Sequence, residues 1–200
     1  MKLIRRHETL LTEVVLNRQV KELFIVDTGA SFTLISRQMA KELGIKTDET
    51  TPFIRSAGVS EVISTPLVTL NSVRVGKAEV ENVETVIYNM PSEGGLLGNS
   101  FLNKFRVMID AVQEKLVLYP MQGVASPDRP GGYPKDYWVG QFRFYLRNLE
   151  GLRRLKEKVE KQGAPGELLR INNAIRYFES KLSELERKAS FANVPRNWRE

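Results

Sequence analysis

The sequence predicts a mainly β domain with short helices, followed by a C-terminal α-helical hairpin. Three observations carry this expectation. Short β-prone segments bounded by Gly, Asn and Pro recur between residues 10 and 120. A stretch rich in Pro, Gly, Ser and Asp follows, from Pro120 to Pro134. Beyond it, apolar residues recur at three- and four-residue steps. The expected division is residues 1–121 for the β domain, 122–134 for a linker, 135–190 for an antiparallel helical hairpin and 191–200 for a frayed tail.

Leu10 to Leu16 reads as a strand and Asn17-Arg18-Gln19 as a tight turn. Val20 to Val26 returns as a second strand that stops at Asp27. After Thr33-Leu34-Ile35, Ser36 is placed to cap a helix from Arg37 to Leu43, and Gly44 to end it. Phe53 to Ser56 and Glu61 to Ser64 flank Ala57-Gly58-Val59-Ser60, which predicts a hairpin with Ala57 and Gly58 near its tip. Small residues there permit close approach of another backbone. Strands are expected at Leu67 to Leu70, Val73 to Val75 and Val83 to Tyr88, with a turn at Gly76-Lys77. Such short, closely spaced strands suit a barrel or a sandwich. Asn89 to Gly95 reads as a loop, and Asn99 as the cap of a short helix running to Lys104. Arg106 to Asp110 and Lys115 to Tyr119 form a last hairpin, with Asp110 as a turn residue.

In the C-terminal part, Trp138, Phe142, Tyr145, Leu149, Leu152, Leu155 and Val159 form one stripe. Lys161 to Gly166 interrupts it. Leu168, Ile171, Ile175, Phe178, Leu182, Leu185 and Ala189 then repeat at a and d positions of a coiled-coil seam. A short break between the two stripes predicts that the helices fold back on each other.

Composition narrows the chemistry. The 200 residues include no cysteine and one histidine, His7, which lies outside any motif. Thiol nucleophiles, disulfides, multi-histidine metal sites and a Ser-His-Asp triad are thereby disfavoured, and carboxylates become the default acid–base groups. The net charge is +6, with Arg147, Arg153, Arg154, Lys156 and Lys158 contributing in the C-terminal part. A basic helix face of this kind reads as solvated, and no nucleic-acid partner is expected. No apolar run approaches the roughly 20 residues that cross a bilayer. Residues 1–8 carry no apolar signal core, so the expected location is cytoplasmic for a complete chain, and periplasmic if a signal or anchor precedes it.

The stretch that organises the chain is Phe24-Ile25-Val26-Asp27-Thr28-Gly29-Ala30-Ser31-Phe32. An apolar strand here delivers a carboxylate into a Gly-containing turn. An acid at that position loses hydration and needs donors, a charge or a shared proton. The N–H groups of Gly29 and Ala30 and the Thr28 hydroxyl stand beside it in sequence. A second stretch, Gly94-Gly95-Leu96-Leu97-Gly98-Asn99-Ser100-Phe101-Leu102, joins two apolar residues to a Gly and a short helix.

Asp27-Thr28-Gly29-Ala30-Ser31 resembles the active-site turn of the retroviral-type (retropepsin-like) aspartic proteases, including small bacterial ones. Leu96-Leu97-Gly98 resembles the element that runs behind that turn in the same family. The resemblance covers residues 10 to 120 and implies a small closed β-barrel of the acid-protease type. It implies Asp27 as the catalytic residue, with Thr28, Gly29, Ala30, Ser31, Leu97 and Gly98 supporting the turn. It places Ser56, Ala57 and Gly58 on a mobile hairpin, the flap, over a protein or peptide substrate. The chain holds one Asp-Thr-Gly. Single-turn enzymes of this kind work as homodimers, with Asp27 of each chain forming the dyad and Thr28 bonding across the axis. No metal or other cofactor is implied. The alternative is a dimeric, non-catalytic assembly module that binds partner proteins through the helical hairpin. A third, weaker reading is a nucleic-acid-binding β domain with a basic tail.

Overall fold

A computed structural model describes residues 1–57, 62–89, 94–162 and 165–200. In chain order the strands are β1 (Ile4–Arg6), β2 (Thr9–Leu16), β3 (Val20–Val26), β4 (Thr33–Ser36), β5 (Phe53–Ala57), β6 (Val62–Val75), β7 (Ala78–Tyr88), β8 (Gly95–Leu97), β9 (Phe105–Asp110) and β10 (Lys115–Pro120). The helices are α1 (Arg37–Glu42), α2 (Asn99–Leu102), α3 (Lys135–Gln162) and α4 (Pro165–Phe191). The chain divides into two compact units, Met1–Lys46 with Thr65–Pro120, and Thr47–Ser64 with Met121–Glu200. The fold is therefore mainly β with short helices and a C-terminal helical part, as the sequence predicts.

Eight strands form one sheet in the order β1-β2-β3-β8-β4-β7-β6-β5. In the first unit this sheet closes on itself. β2 pairs with β3 along its length and also with β6, Val15 opposite Arg74 and Leu16 opposite Val73. The ring β2-β3-β8-β4-β7-β6 encloses Leu16, Phe24, Ile35, Leu70, Val73 and Leu97, all fully buried. Each such side chain stabilises the fold by about 1.5–3 kcal/mol.

Local signals set the connections. Asn17 and Arg18 take φ of 47° and 60°, the left-handed pair that matches the twist of a tight hairpin. Ser36 caps α1 by accepting the Met39 N–H at 3.1 Å. Gly44, at φ 68°, ends it, with the Ile45 N–H bonded to the Ala40 carbonyl at 2.8 Å. The two segments expected at 67–70 and 73–75 are one continuous strand, β6. Asn71-Ser72 does not turn because Ser72 is paired and buried: its N–H donates to Asn17 Oδ1 at 3.1 Å and its carbonyl accepts the Asn17 N–H at 2.8 Å. β9 and β10 pair as a separate two-stranded sheet.

In the second unit α3 and α4 bury facing stripes: Trp138, Phe142, Tyr145, Leu149, Leu152 and Val159 on one, Ile171, Phe178, Leu185 and Ala189 on the other. Ala174 is fully buried where Ile175 was expected to be the inner residue. Arg153 pairs with Glu179 at 2.9 Å, and Lys135 at the start of α3 lies 5.9 Å from the ring of Trp198, beyond the end of α4. The segment 121–134 is bonded rather than loose: the Arg129 guanidinium donates to the carbonyls of Met121 and Gly132 at 2.7 and 3.2 Å, and Trp138 Nε1 donates to the Pro130 carbonyl at 3.0 Å.

The tail expected to fray instead turns back. Asn193 takes φ 56°, the Val194 N–H bonds the Ala189 carbonyl at 2.8 Å, and the Asn193 N–H bonds Ser190 at 3.1 Å. Val194 is buried, and the Arg199 guanidinium reaches the Val194 carbonyl, Ser190 Oγ and Glu186 Oε2. Among the described residues no helix is long and apolar enough to cross a membrane.

Candidate active site

β3 is apolar over its second half, Leu23 to Val26, with Phe24 fully buried, and it ends where Asp27 leaves it. The strand lies parallel to β8, with Ile25 opposite Leu96 and Val26 opposite Leu97. Asp27 continues that ladder by one step, its N–H donating to the Leu97 carbonyl at 3.1 Å. Its side chain is half-buried and folds back on the turn, Oδ1 accepting the N–H of Gly29 at 2.8 Å and of Ala30 at 3.2 Å. Thr28, Gly29 and Ser31 are exposed.

Two other aspartates make the same local turn. Asp48 Oδ1 accepts the N–H of Thr50 and Thr51 at 2.8 and 3.1 Å. The Thr50 hydroxyl and these N–H groups hold the Asp48 carboxyl below its ordinary value. Asp110 Oδ1 accepts the N–H of Val112 and Gln113 at 3.1 and 2.8 Å. A carboxylate that accepts from the N–H groups two and three residues on thus recurs in this chain. Asp27 differs in what lies behind it.

The segment 97–100 passes under the turn. A Cβ on Gly98 would overlap the Phe32 carbonyl and stand 3.0 Å from the Ala30 carbonyl. Gly98 has an ordinary extended backbone, φ −103° and ψ −172°, so the demand for glycine is one of space alone. Asn99 then grips the turn on both sides of Gly29. Its N–H donates to the Ala30 carbonyl at 2.8 Å and its side-chain Nδ2 to the Thr28 carbonyl at 2.7 Å. Beside it, Ser100 Oγ accepts the Thr33 N–H at 2.9 Å and lies 3.2 Å from Thr33 Oγ1. Thr33 is fully buried, and its hydroxyl also faces the Gly98 N–H at 3.4 Å. A buried hydroxyl with partners on both strands ties β4 to the crossing segment.

The structure therefore brings together Asp27, Thr28, Gly29, Ala30, Leu97 and Gly98, with Ser31 exposed at the exit of the turn. It also adds Asn99, Ser100 and Thr33. Asn99 is not the helix cap that the sequence suggested: Gly98 occupies that position, without a side-chain bond, and the Asn99 amide is turned to Thr28. Ser56 and Ala57 end β5, while Gly58 lies outside the described residues. His7 is exposed in the turn between β1 and β2, at φ 52°.

Residues 12–101 match the family model described as aspartyl protease. That span contains Asp27 to Ser31 and Leu96 to Gly98, from which the retropepsin-like resemblance is read. A solved structure, a retropepsin-like aspartic protease from Rickettsia conorii, is 28% identical and matches over 59% of this chain and 88% of its own, with a TM-score of 0.47. No curated protein matches the chain.

Proposed function

From the match of residues 12–101 to the aspartyl protease family, we propose that the chain is an aspartic endopeptidase whose site is completed by a second copy of itself. The family match supports a protease hydrolase. The observation that carries the assignment to Asp27 is the crossing of Gly98 and Asn99 beneath its turn. The sequence offers one such turn per chain, so the second carboxylate comes from a partner chain. Two like charges held close resist joint ionisation, so the pair shares one proton. The ionised member takes a proton from a bridging water as it attacks the scissile carbonyl. The protonated member donates to the carbonyl oxygen and steadies the negative charge that develops there. Protons then pass to the leaving amine.

Thr28 is exposed, as its proposed bond across the dimer axis requires. The turn N–H groups of Gly29 and Ala30 hold one carboxylate oxygen and fix the acid's orientation. By the family resemblance, Ser56, Ala57 and Gly58 would be the flap residues that contact an extended peptide. The test is cleavage of a peptide library from mildly acidic to neutral pH by the wild type and by Asp27→Asn. Loss of at least about 100-fold is expected from removing an acid–base group, with a bell-shaped pH profile for the wild type. Equal cleavage by the variant would overturn the assignment.

A second reading keeps the dimer and removes the chemistry, with α3 and α4 recruiting a partner protein. The packed apolar stripes of the two helices motivate it. A pull-down with the full chain and Asp27→Asn separates the two: a partner retained by both, with no cleavage by either, would favour this reading.

A further inference from the structure

We propose that the groove along the side of α3 and α4 is the docking site for an amphipathic helix of another protein, one that carries carboxylates toward one end. Such docking rests on the reading in which the two helices recruit a partner, and it is independent of whether Asp27 cuts peptides.

The groove encloses about 750 Å³, the size of a built binding site. Its floor is apolar, with Leu146 and Leu149 from α3 and Leu182 from α4. Leu149 is buried, Leu182 half-buried and Leu146 39% exposed, so apolar surface is left open along it. Its walls are ion-paired, Arg153 to Glu179 at 2.9 Å across the helices and Arg154 to Glu150 along α3. From Leu146 to Glu157 it runs about three helical turns, roughly 16 Å. A short third helix lying alongside the pair has that length.

Charge is uneven around it. Residues 1–120 hold 14 basic and 14 acidic residues, and residues 121–200 hold 16 and 10, so the second stretch carries the whole net charge of +6. On α3 no acid stands between Asp136 and Glu150, while Arg143 and Arg147 do. Like charges four residues apart are neighbours on a helix and destabilise it. Arg143 lies one turn before Leu146, and Arg187 one turn beyond Ser183 on the opposite wall. Because the helices run antiparallel, with Arg153 opposite Glu179, both cations stand at the same end of the groove. They are exposed, and among the described residues neither makes an ion pair. The acids nearest to Arg187 on α4 are engaged elsewhere, Glu184 by Lys188 at 2.7 Å and Glu186 by Arg199 at 3.1 Å. A nucleic-acid backbone following the groove would meet the carboxylates of Glu150, Glu157 and Glu179 on its walls. A helix with an apolar row fills the leucine floor, and acids at one end of it meet the free cations.

The experiment selects a displayed library of helical peptides on the full chain, with Asp27→Asn throughout so that cleavage does not intervene. The same chain with Leu146→Asp, and with Arg143→Glu and Arg187→Glu together, is run beside it. All three positions are exposed, and thermal unfolding checks that the variants fold. Enriched peptides are expected to carry apolar residues at i, i+3, i+4 and i+7, with Asp or Glu toward one end. Synthetic copies, measured by fluorescence anisotropy, should bind Leu146→Asp at least about tenfold more weakly than the unaltered groove. The charge-reversed variant should prefer the same peptides with Lys in place of the acids. No enrichment, enriched peptides without acids, or binding that neither variant changes would overturn the groove as the site. So would tighter binding of a single-stranded oligonucleotide at physiological salt. Loss of self-association in Leu146→Asp by sedimentation would overturn it too, because a second copy would then fill the groove. A partner pulled down equally by Leu146→Asp would also overturn it, while leaving the recruiting reading in place.

Discussion

Asp27, Asp48 and Asp110 form nearly the same turn from nearly the same bonds; Gly98 and Asn99 cross beneath the first, whereas the Asp110 turn meets Leu3 and Arg5, which donate to the carbonyls of Glu114 and Ala111. Asn99 ties the crossing segment to the Asp27 turn, because it holds carbonyls on both sides of Gly29. Replacing it with Ala removes the side-chain bond to Thr28 and leaves the backbone bond to Ala30. The expected cost is about 1 kcal/mol in stability, with a loss of peptidase activity severalfold larger than that shift accounts for. Thermal unfolding and kcat/KM measured on the same sample check it; activity within twofold of wild type would deny Asn99 its role. Asp27 was legible in the sequence because an acid ending an apolar strand is chemically awkward, and Gly98 because Leu96-Leu97-Gly98 resembles the family's element that runs behind that turn. Asn99 was not. An Asn at the first position of a short helix is read locally as a cap, and its actual partner is 71 residues away. Ser100 and Thr33 escaped for the same reason, since their bond spans 67 residues.

At the scale of elements, α1 and α4 end with the same motif and only one end was foreseen. Gly44 follows α1 and Asn193 follows α4, both at positive φ, each succeeded by an apolar residue whose N–H reaches back five residues. Glycine announced the first stop, because it alone adopts that conformation without strain. Asn tolerates it too, and the order Asn193-Val194-Pro195 was the overlooked signal. Asn193→Gly is therefore expected to leave stability unchanged or slightly raised. Asn193→Val should cost about 1–2 kcal/mol, seen as a lowered Tm. Equal Tm for both would mean that the tail does not hold the helix end. β6 teaches the converse. Asn71-Ser72 has turn-forming chemistry, yet Asn17, from the hairpin joining β2 and β3, bonds it into a straight strand. Pairing between distant elements overrode a local preference.

For the whole molecule, the ring of six strands was legible only as a choice between barrel and sandwich. What closes it is two residue pairs between β2 and β6, and no local pattern marks residues 15 and 16 as pairing with a second strand besides β3. The resemblance to a known family settled that choice where the spacing of strands did not. The same resemblance leads to the prediction that activity depends on association. Sedimentation velocity should show a species of twice the chain mass at micromolar concentration. On dilution through its dissociation range, the cleavage rate should fall with the square of chain concentration, by mass action. A strict monomer with full specific activity would remove the second carboxylate from the mechanism.

The place of β8 in the sheet has a temporal consequence. β8 lies between β3 and β4, yet it is made later, after the whole of β7. At the usual pace of synthesis, the roughly 60 residues separating β4 from β8 take about 3–12 seconds to emerge. Throughout that interval the nascent chain carries Asp27 and its turn with an empty slot beside them. Gly98 and Asn99 arrive last, so the acid is seated only when nearly half the chain has left the ribosome. Until then the open slot is exposed to any other short extended segment that reaches it first.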